Sequence, residues 1–210
     1  MAIKFKTKAT SFMLAFILVI MGFGEIFVLK TKSVLASDEN VAEAILTDDF
    51  KTSNFTEVRM GQNSAVKYTN RGGTRAWYLD PASGQNSSFM YFNLSDSFAK
   101  EIKDGTVFEF EIEYFSQGEG YFRVVYDSQD KQDKRGKLIQ AGKTNTWETA
   151  KITIDDAYFG NRLLDKYDFL LSIQANRTST ATATVFSPAE VPIRRVKVTK
   201  YEKRNPVTLK

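Results

Sequence analysis

The sequence predicts an all-β protein, a two-sheet antiparallel β-sandwich that follows an N-terminal export signal. Two observations predict this fold. Short runs of β-branched and aromatic residues recur between clusters of Gly, Asn, Asp and Ser, as in strands joined by turns. The segment 108–114 alternates with a strict period of two, because Phe108, Phe110, Ile112 and Tyr114 fall on one face and three glutamates on the other.

The rest of the chain is divided into short strands by the same pattern. Gly118 and Gly120 predict a turn, so we expect 108–114 to form a hairpin with 121–127. No segment predicts a long helix, and at most a turn or two is expected at 95–100 or 156–164. The predicted strands, sufficient for a jelly roll of eight or more strands, lie near 46–50, 64–69, 74–79, 88–94, 106–116, 120–127, 136–140, 147–154, 167–174, 181–187 and 193–202.

The N-terminal residues predict where the protein resides. Residues 1–36 contain a lysine-bearing head, an apolar run at 11–29 and Val34-Leu35-Ala36 as a small-residue cleavage site, which is the layout of a secretory signal peptide. The alternative is an uncleaved membrane anchor, since the run is nearly long enough to span a bilayer, although Glu25 interrupts it. We therefore expect a secreted mature chain without stable membrane insertion. Its predicted parts are a flexible leader at 37–44, one β-sandwich domain at 45–202 and a tail at 203–210.

Composition excludes several kinds of chemistry. The chain has no His and no Cys, which rules out Ser-His-Asp and Cys-His catalysis, disulfides and a cysteine-linked lipid. Residues 1–36 hold five Lys and one Glu, so the remaining chain keeps 24 basic and 24 acidic residues of the 29 and 25 in total. This balance removes the electrostatic argument for a nucleic-acid partner. An exported chain without cysteine is typical of a bacterial exterior.

The stretch 147–173 resembles part of a known family. It has a Trp that opens a strand, a polar turn, an aromatic loop and a second apolar strand, and 118–128 adds a strand with alternating aromatic and basic residues. The whole resembles the galactose-binding-like jelly-roll modules, or carbohydrate-binding modules, that accompany secreted bacterial glycoside hydrolases. The residues that match that family's pattern are Asp156, Ala157, Phe159, Asn161, Arg162, Asp168 and Phe169. The resemblance implies a jelly-roll fold for most of 45–202 and, for function, the binding of an extracellular polysaccharide.

Sugar binding requires flat aromatic faces beside planar polar groups. The best candidate contacts are Arg75, Trp77, Tyr78 and Asn86, with Arg71 and Asp80 close by. Since Trp77 and Tyr78 are adjacent on a strand, one of them is expected to point into the core.

A second aromatic and polar group lies in the loop that carries the family pattern. Tyr158, Asn161 and Arg162, flanked by Tyr167, are expected to fix the loop geometry rather than to bind a ligand. Trp147, at the head of its strand, is expected to be a core or rim anchor.

Carboxylates are the remaining candidates for catalysis or metal binding. Glu109, Glu111 and Glu113 lie about 7 Å apart along one strand face, a spacing that an inverting glycosidase can use, although acidic residues on a wet strand face are ordinary. A structural calcium, which is possible but not required, would use Asp48, Asp49, Asp155 and Asp156. The spaced acids Asp127, Asp130 and Asp133 lack the Gly and Glu of an EF-hand loop and predict a solvated turn.

Together these features favour a secreted, non-catalytic, lectin-like module that recognises a polysaccharide. Two alternatives stay open: a small extracellular glycoside hydrolase or lyase that uses carboxylates, and a cell-surface protein-binding or adhesion component.

Overall fold

The computed structural model describes residues 38–61, 67–79, 87–100, 102–118, 120–164, 166–174, 176–179, 184–187 and 190–202. All of them belong to one compact unit, Lys32–Lys210. Within these residues the regular structure is β, apart from one short helix, α1 (Asp96–Ala99). The strands are β1 (Val41–Ile45), β2 (Lys51–Ser53), β3 (Phe55–Met60), β4 (Tyr68–Arg71), β5 (Thr74–Leu79), β6 (Ser87–Leu94), β7 (Thr106–Phe115), β8 (Tyr121–Tyr126), β9 (Lys134–Arg135), β10 (Ile139–Gln140), β11 (Trp147–Ile154), β12 (Phe169–Gln174), β13 (Asn176–Ser179), β14 (Thr184–Ser187) and β15 (Val191–Glu202).

The strands form two antiparallel sheets that pack as a sandwich, which confirms the predicted fold class. Sheet I has the order β11-β7-β15-β1-β2, and β5 also pairs with β15 while β4 pairs with β5. Sheet II has the order β10-β8-β12-β6-β3, with β9 also on β8. The long strands β6, β7, β8, β11, β12 and β15 alternate between the two sheets along the chain, as in a jelly roll. The hairpin β13-β14 pairs within itself.

The core lies between the two sheets and is rich in aromatic rings. The prediction for 108–114 is confirmed, since Phe108, Phe110, Ile112 and Tyr114 are all buried in it. From sheet II, Phe169 meets the edge of the Phe110 ring at a centroid distance of 5.0 Å. Such edge-to-face pairs add about 0.5–1.5 kcal/mol each to the burial of their surface, so these rings help to lock one sheet onto the other.

The predicted hairpin between 108–114 and 121–127 is wrong. Strand β7 pairs with β11 on one side and β15 on the other, while β8 lies in sheet II between β10 and β12. The connection between them therefore crosses from one sheet to the other. Gly118 has a φ of 77°, which a residue with a side chain adopts only with strain. The glycines mark a turn, as predicted, but the turn leads to the opposite layer.

The flexible leader predicted at 37–44 is wrong in its second half. Strand β1 pairs with β15 from Val41↔Thr199 to Ile45↔Arg195, and Ala42 and Ala44 are fully buried beneath it. Alanine is depleted in strands and gives a weak strand signal in sequence, so this strand was not predicted. The domain thus includes β1, which lies before the predicted start at 45.

The strand predictions need further correction. Residues 46–50 lead through a turn into β2 instead of forming a strand, and β2, β3, β9 and β13 were not predicted. The single-turn helix α1 falls within 95–100 as expected, and the Ser95 hydroxyl caps it by accepting from the N–H of Phe98. No helix forms at 156–164, where Phe159, Asn161 and Leu164 have positive φ angles.

The export signal at 1–36 and the tail at 203–210 lie outside the described residues. Among the residues that are described, no helix has the length and apolar character needed to cross a membrane.

Candidate functional site

The structure does not bring the predicted sugar contacts together. Trp77 points into the core, where it is 3% exposed, stacks on Phe50 at 5.0 Å and meets the edge of Tyr68 at 6.5 Å. Both faces of its ring are therefore engaged or covered, and it offers none to a pyranose ring. Its prediction as a binding contact is wrong, because the Trp77 side chain is buried in the core.

The other predicted contacts lie elsewhere. Tyr78 is on the opposite face of β5, opposite Pro192, so it does not share a surface with Trp77. Arg75 is at the rim, where its Nη1 pairs with Oδ1 of Asp48 at 2.9 Å and its guanidinium lies 4.5 Å from the Tyr68 ring. Asn86 falls outside the described residues.

The loop between β11 and β12 is held by an ion pair between the partly exposed Arg162 and the buried Asp127. Arg162 donates from Nη2 to Oδ1 of Asp127 at 2.7 Å and from Nε to both carboxylate oxygens at 3.0 and 3.2 Å. The main-chain N–H groups of Gly160 and Arg162 also donate to Oδ2 of Asp127, at 2.9 and 3.3 Å. These contacts give Arg162 a structural role, and Asn161, at a φ of 57°, serves as a turn residue. Asp127 itself is fully buried, so its prediction as part of a solvated turn is wrong.

A second buried carboxylate, Asp168, anchors the other end of this loop. Its Oδ2 accepts from the N–H of Leu94 at 2.8 Å, and its Oδ1 accepts from the N–H of Asn161 at 3.2 Å. Burial raises the pKa of Asp168 to about 7; the two N–H donors act in the opposite direction, and the charges of Asp127 and Asp96 add to the rise. Asp168 thus joins β12 to the end of β6 and to the loop through a carboxyl that titrates near neutral pH.

This carboxyl predicts a pH dependence of stability. The unfolded carboxyl has a pKa of about 3.9, so the folded state binds the proton more tightly and the protonated form favours folding. We expect the free energy of unfolding to fall as the pH rises from about 4 to about 7 and to level off above that range. Urea unfolding of the wild type at intervals between pH 4.5 and 8 measures this slope. The Asp168→Asn variant should lack it, and an unchanged slope in that variant would assign the effect to other groups.

The row of glutamates on β7 is engaged in ion pairs. Glu113 accepts from Nε of Arg194 at 2.7 Å and from Nη1 of Arg195 at 3.0 Å, and Glu111 lies 3.5 Å from Nζ of Lys151. Burial acts to raise the pKa of Glu113, but the two guanidinium groups outweigh it and hold that pKa below its ordinary value. A general acid of a glycosidase needs a raised pKa instead. This arrangement therefore gives no support to a catalytic role for the row.

The predicted calcium ligands are also partnered by side chains. Asp48 pairs with Arg75, and Asp156 accepts from the Tyr126 hydroxyl at 2.8 Å and contacts Nζ of Lys134. Asp49 and Asp155, in the same turns as Asp48 and Asp156, are exposed. Across the described part of the chain, no three acidic side chains are grouped as they would be around a metal ion. These ion pairs do not fit a calcium ligand set, so the calcium prediction gains no support.

A different surface combines aromatic rings with unpartnered polar groups. It is the outer face of sheet II, where alternate residues of β8, β12 and β6 point away from the core. Cross-strand pairs across β8, β12 and β6 place these residues in rows: Tyr121 next to Gln174; Arg123, then Ser172, then Phe89; and Val125, then Leu170, then Tyr91. Arg59 on β3 and Arg135 on β9 extend the third row at its two ends.

One end of this face is closed by the loop that Asp127 and Asp168 hold. Tyr167 packs on Tyr91 at a centroid distance of 4.8 Å, and the Arg59 guanidinium lies 5.4 Å from the Tyr167 ring centroid. Together with Leu163, Leu170 and Val125, the two tyrosines form a small second apolar cluster. These packed side chains therefore form a rigid surface at the closed end.

The other end of the face is open. Tyr121, Arg123, Phe89 and Gln174 are only partly buried there. Nη2 of Arg123 donates to Oε1 of Gln174 at 3.0 Å, so a guanidinium and an amide lie side by side between two aromatic residues. Among the described residues, the buried Nε atoms of Arg123 and Arg59 find no acceptor. A buried N–H without a partner is costly.

The sequence analysis did not identify this site, but it did identify one strand that contributes to it. The alternation of aromatic and basic residues at 118–128 places Tyr121 and Arg123 on one face of a strand. It does not reveal that β12 and β6 lie next to that strand in the sheet. Strand β12 begins 48 residues after the start of β8, and β6 begins 34 residues before it. The site is thus defined by sheet order and not by a local motif.

Comparison with known proteins gives a likeness in structure only. No family model matches the chain, and no curated protein matches it. Among the solved structures it is similar to is the CBM22-1–GH10 portion of endo-1,4-β-D-xylanase 10B from Clostridium thermocellum, complexed with xylohexaose, at 14% identity and a TM-score of 0.43 over 75% of this chain and 28% of that one.

Two further similar structures are carbohydrate-binding modules. The CBM22-1 xylan-binding domain of Xyn10C from Paenibacillus barcinonensis matches at 7% identity and a TM-score of 0.41, over 77% of this chain and 94% of that one. The C-terminal CBM6 of LamC, a marine laminarinase from Zobellia galactanivorans, matches at 11% identity and a TM-score of 0.39, over 76% and 99%. At these TM-scores and identities the likeness carries no conclusion about a ligand, which has to come from the site itself.

Proposed function

We propose that the protein is a secreted, non-catalytic carbohydrate-binding protein whose ligand lies on the outer face of sheet II. The observation that carries this proposal is the open end of that face, where Tyr121 and Phe89 flank the Arg123–Gln174 pair. Sugar rings stack their apolar faces on aromatic rings and offer hydroxyls to planar polar groups. The resemblance of 147–173 to carbohydrate-binding modules favours the same class of ligand, and secretion follows from the signal predicted at 1–36.

Rigidity supports binding rather than catalysis as the function of this face. The side chains rise from paired strands, and the loop at the closed end is fixed by the Asp127–Arg162 pair. Preorganised groups lose little conformational freedom when a ligand binds. Within the described part of this face Glu57 is the carboxylate, and it accepts from the Tyr167 hydroxyl at 3.3 Å. A pair of acids across a scissile bond is not assembled there.

Affinity electrophoresis of the protein through a panel of polysaccharides tests the proposal. At least one polysaccharide should retard the wild type, and Tyr121→Ala should weaken that binding by about two- to tenfold, since an aromatic contact contributes about 0.5–1.5 kcal/mol. Tyr201→Ala is the matched control, because Tyr201 is an exposed tyrosine on sheet I.

The alternatives predict other outcomes. Release of reducing sugar from a polysaccharide would favour the hydrolase. Failure of every polysaccharide to bind, together with capture of a secreted protein, would favour the adhesion component.

A further inference from the structure

The outer faces of the two sheets differ in how their charges are paired. On sheet I, basic residues of β15 and β11 lie beside the glutamates of β7 and β1. Arg195 pairs with Glu43 at 2.6 Å and with Glu113 at 3.0 Å, and Lys197 lies 3.8 Å from Glu111. The cations of this face are thus matched by carboxylates of the chain.

On sheet II the described cations are not matched in this way. Arg123 donates to Gln174, a neutral amide, and no carboxylate of the described residues lies within ion-pair distance of it. Arg59 pairs with Glu57 at 3.9 Å, but Glu57 is one carboxylate among several guanidinium groups on the described part of this face. Arg135 adds a third guanidinium, beside Val125 on the same face. The described part of this face therefore carries an excess of positive charge, although the chain after residue 36 is neutral.

The surroundings of Arg123 determine which chemical group of a ligand can pair with its guanidinium. Arginine has five N–H donors and no acceptor, so a ligand has to supply oxygens. The Nε of Arg123 is buried and one N–H of Nη2 is held by Gln174, so Nη1 and the second N–H of Nη2 are the donors left for a ligand. A guanidinium held in one orientation presents a fork that matches a carboxylate in two parallel hydrogen bonds. A sugar hydroxyl can accept one such bond, but it leaves the charge unpaired.

We propose that the ligand of this face is an acidic polysaccharide, in which a uronic acid carboxylate pairs with Arg123. This inference rests on the proposed function and specifies its ligand class. The ring of the uronate or of its neighbour stacks on Tyr121, two residues before Arg123 on the same strand face, or on Phe89, which lies beyond Ser172 in the row of Arg123. Arg59 and Arg135 lie at the two ends of the next row, and they attract the flanking anionic residues of the chain.

The test compares charged and neutral forms of one polymer. Polygalacturonate and alginate, each alongside its carboxyl methyl ester, are titrated against the full chain in affinity electrophoresis or calorimetry. We expect the wild type to bind one acid polymer at least tenfold more tightly than its ester. Arg123→Gln should remove this preference while it retains the affinity for the ester.

Two further variants separate charge from fold. Arg123→Lys keeps the charge and loses the fork, so it should retain part of the preference. Arg75→Gln is the matched control, because Arg75 is an exposed arginine outside this face that already pairs with Asp48, and it should bind as the wild type does. Urea unfolding of each variant verifies that the fold is intact.

The remaining outcomes overturn either the acidic ligand or the proposed function. Equal binding of acid and ester, or of wild type and Arg123→Gln, would overturn the acidic ligand and leave the proposed function standing. Equally tight binding of dextran sulfate and DNA would overturn it too, because the face would then attract any polyanion. No binding of any polysaccharide, neutral or acidic, would overturn the proposed function itself.

Discussion

Replacing Arg162 by Ala is expected to lower the free energy of unfolding by about 1–3 kcal/mol, the cost of leaving a buried acceptor without its partner. The reason is Asp127, which is fully buried and loses the guanidinium that contacts both of its oxygens. The N–H donors of Gly160 and Arg162 remain, but they do not balance a full charge in the interior. Urea unfolding at pH 7.5 measures the change.

Arg75→Ala is the matched control for this prediction. Arg75 and Asp48 form an ion pair of similar length, 2.9 Å, but both side chains are 55% exposed. Exposed pairs contribute about 0–1 kcal/mol, so the two arginines should differ severalfold in effect. Equal losses from the two variants would mean that solvent reaches Asp127 and that the loop is not held as described.

Trp77→Ala is expected to destabilise the fold by about 3–5 kcal/mol, because it leaves a large cavity in the core. The ring stacks on Phe50 and packs edge-on against Tyr68, so its loss also removes two aromatic contacts. Thermal or urea unfolding measures the loss. Tyr158→Ala, at a tyrosine that is 50% exposed, should cost far less.

A milder variant separates the role of Trp77 in stability from a role in binding. Trp77→Phe retains most of the buried surface and should bind polysaccharide as the wild type does. Loss of binding in this folded variant would return Trp77 to the ligand site and contradict its assignment to the core.

The strands were largely predictable where side-chain alternation is strong. Period two in 108–114 identified β7 and its buried face, because a wrong register would place Phe110 in water and Glu111 in the core. The same rule failed for β1, whose inward residues are alanines and therefore give little contrast between its faces.

Pairing between strands was not predictable from local pattern. The turn at Gly118 was recognised, but nothing near it indicates that β11 and β15, both later in the chain, pair with the two edges of β7. Because both edges of β7 are paired in the fold, β8 lies in the other sheet. The candidate site depends on this choice, since Arg123 meets Gln174 only because β8 lies beside β12.

The two ends of the domain leave it at one corner, and this decides how the fold responds to pulling. Val41 at the start of β1 pairs with Thr199, and the N–H of Lys200 donates to the carbonyl of Asn40 at 2.8 Å. Tension between the chain before β1 and the chain after β15 therefore opens their ladder pair by pair from that corner, since the hydrogen bonds lie across the strands. Each bond pair bears the load in turn instead of sharing it. A domain attached through both ends in this way unfolds at low force. A domain attached through one end bears no load across the paired strands β1 and β15.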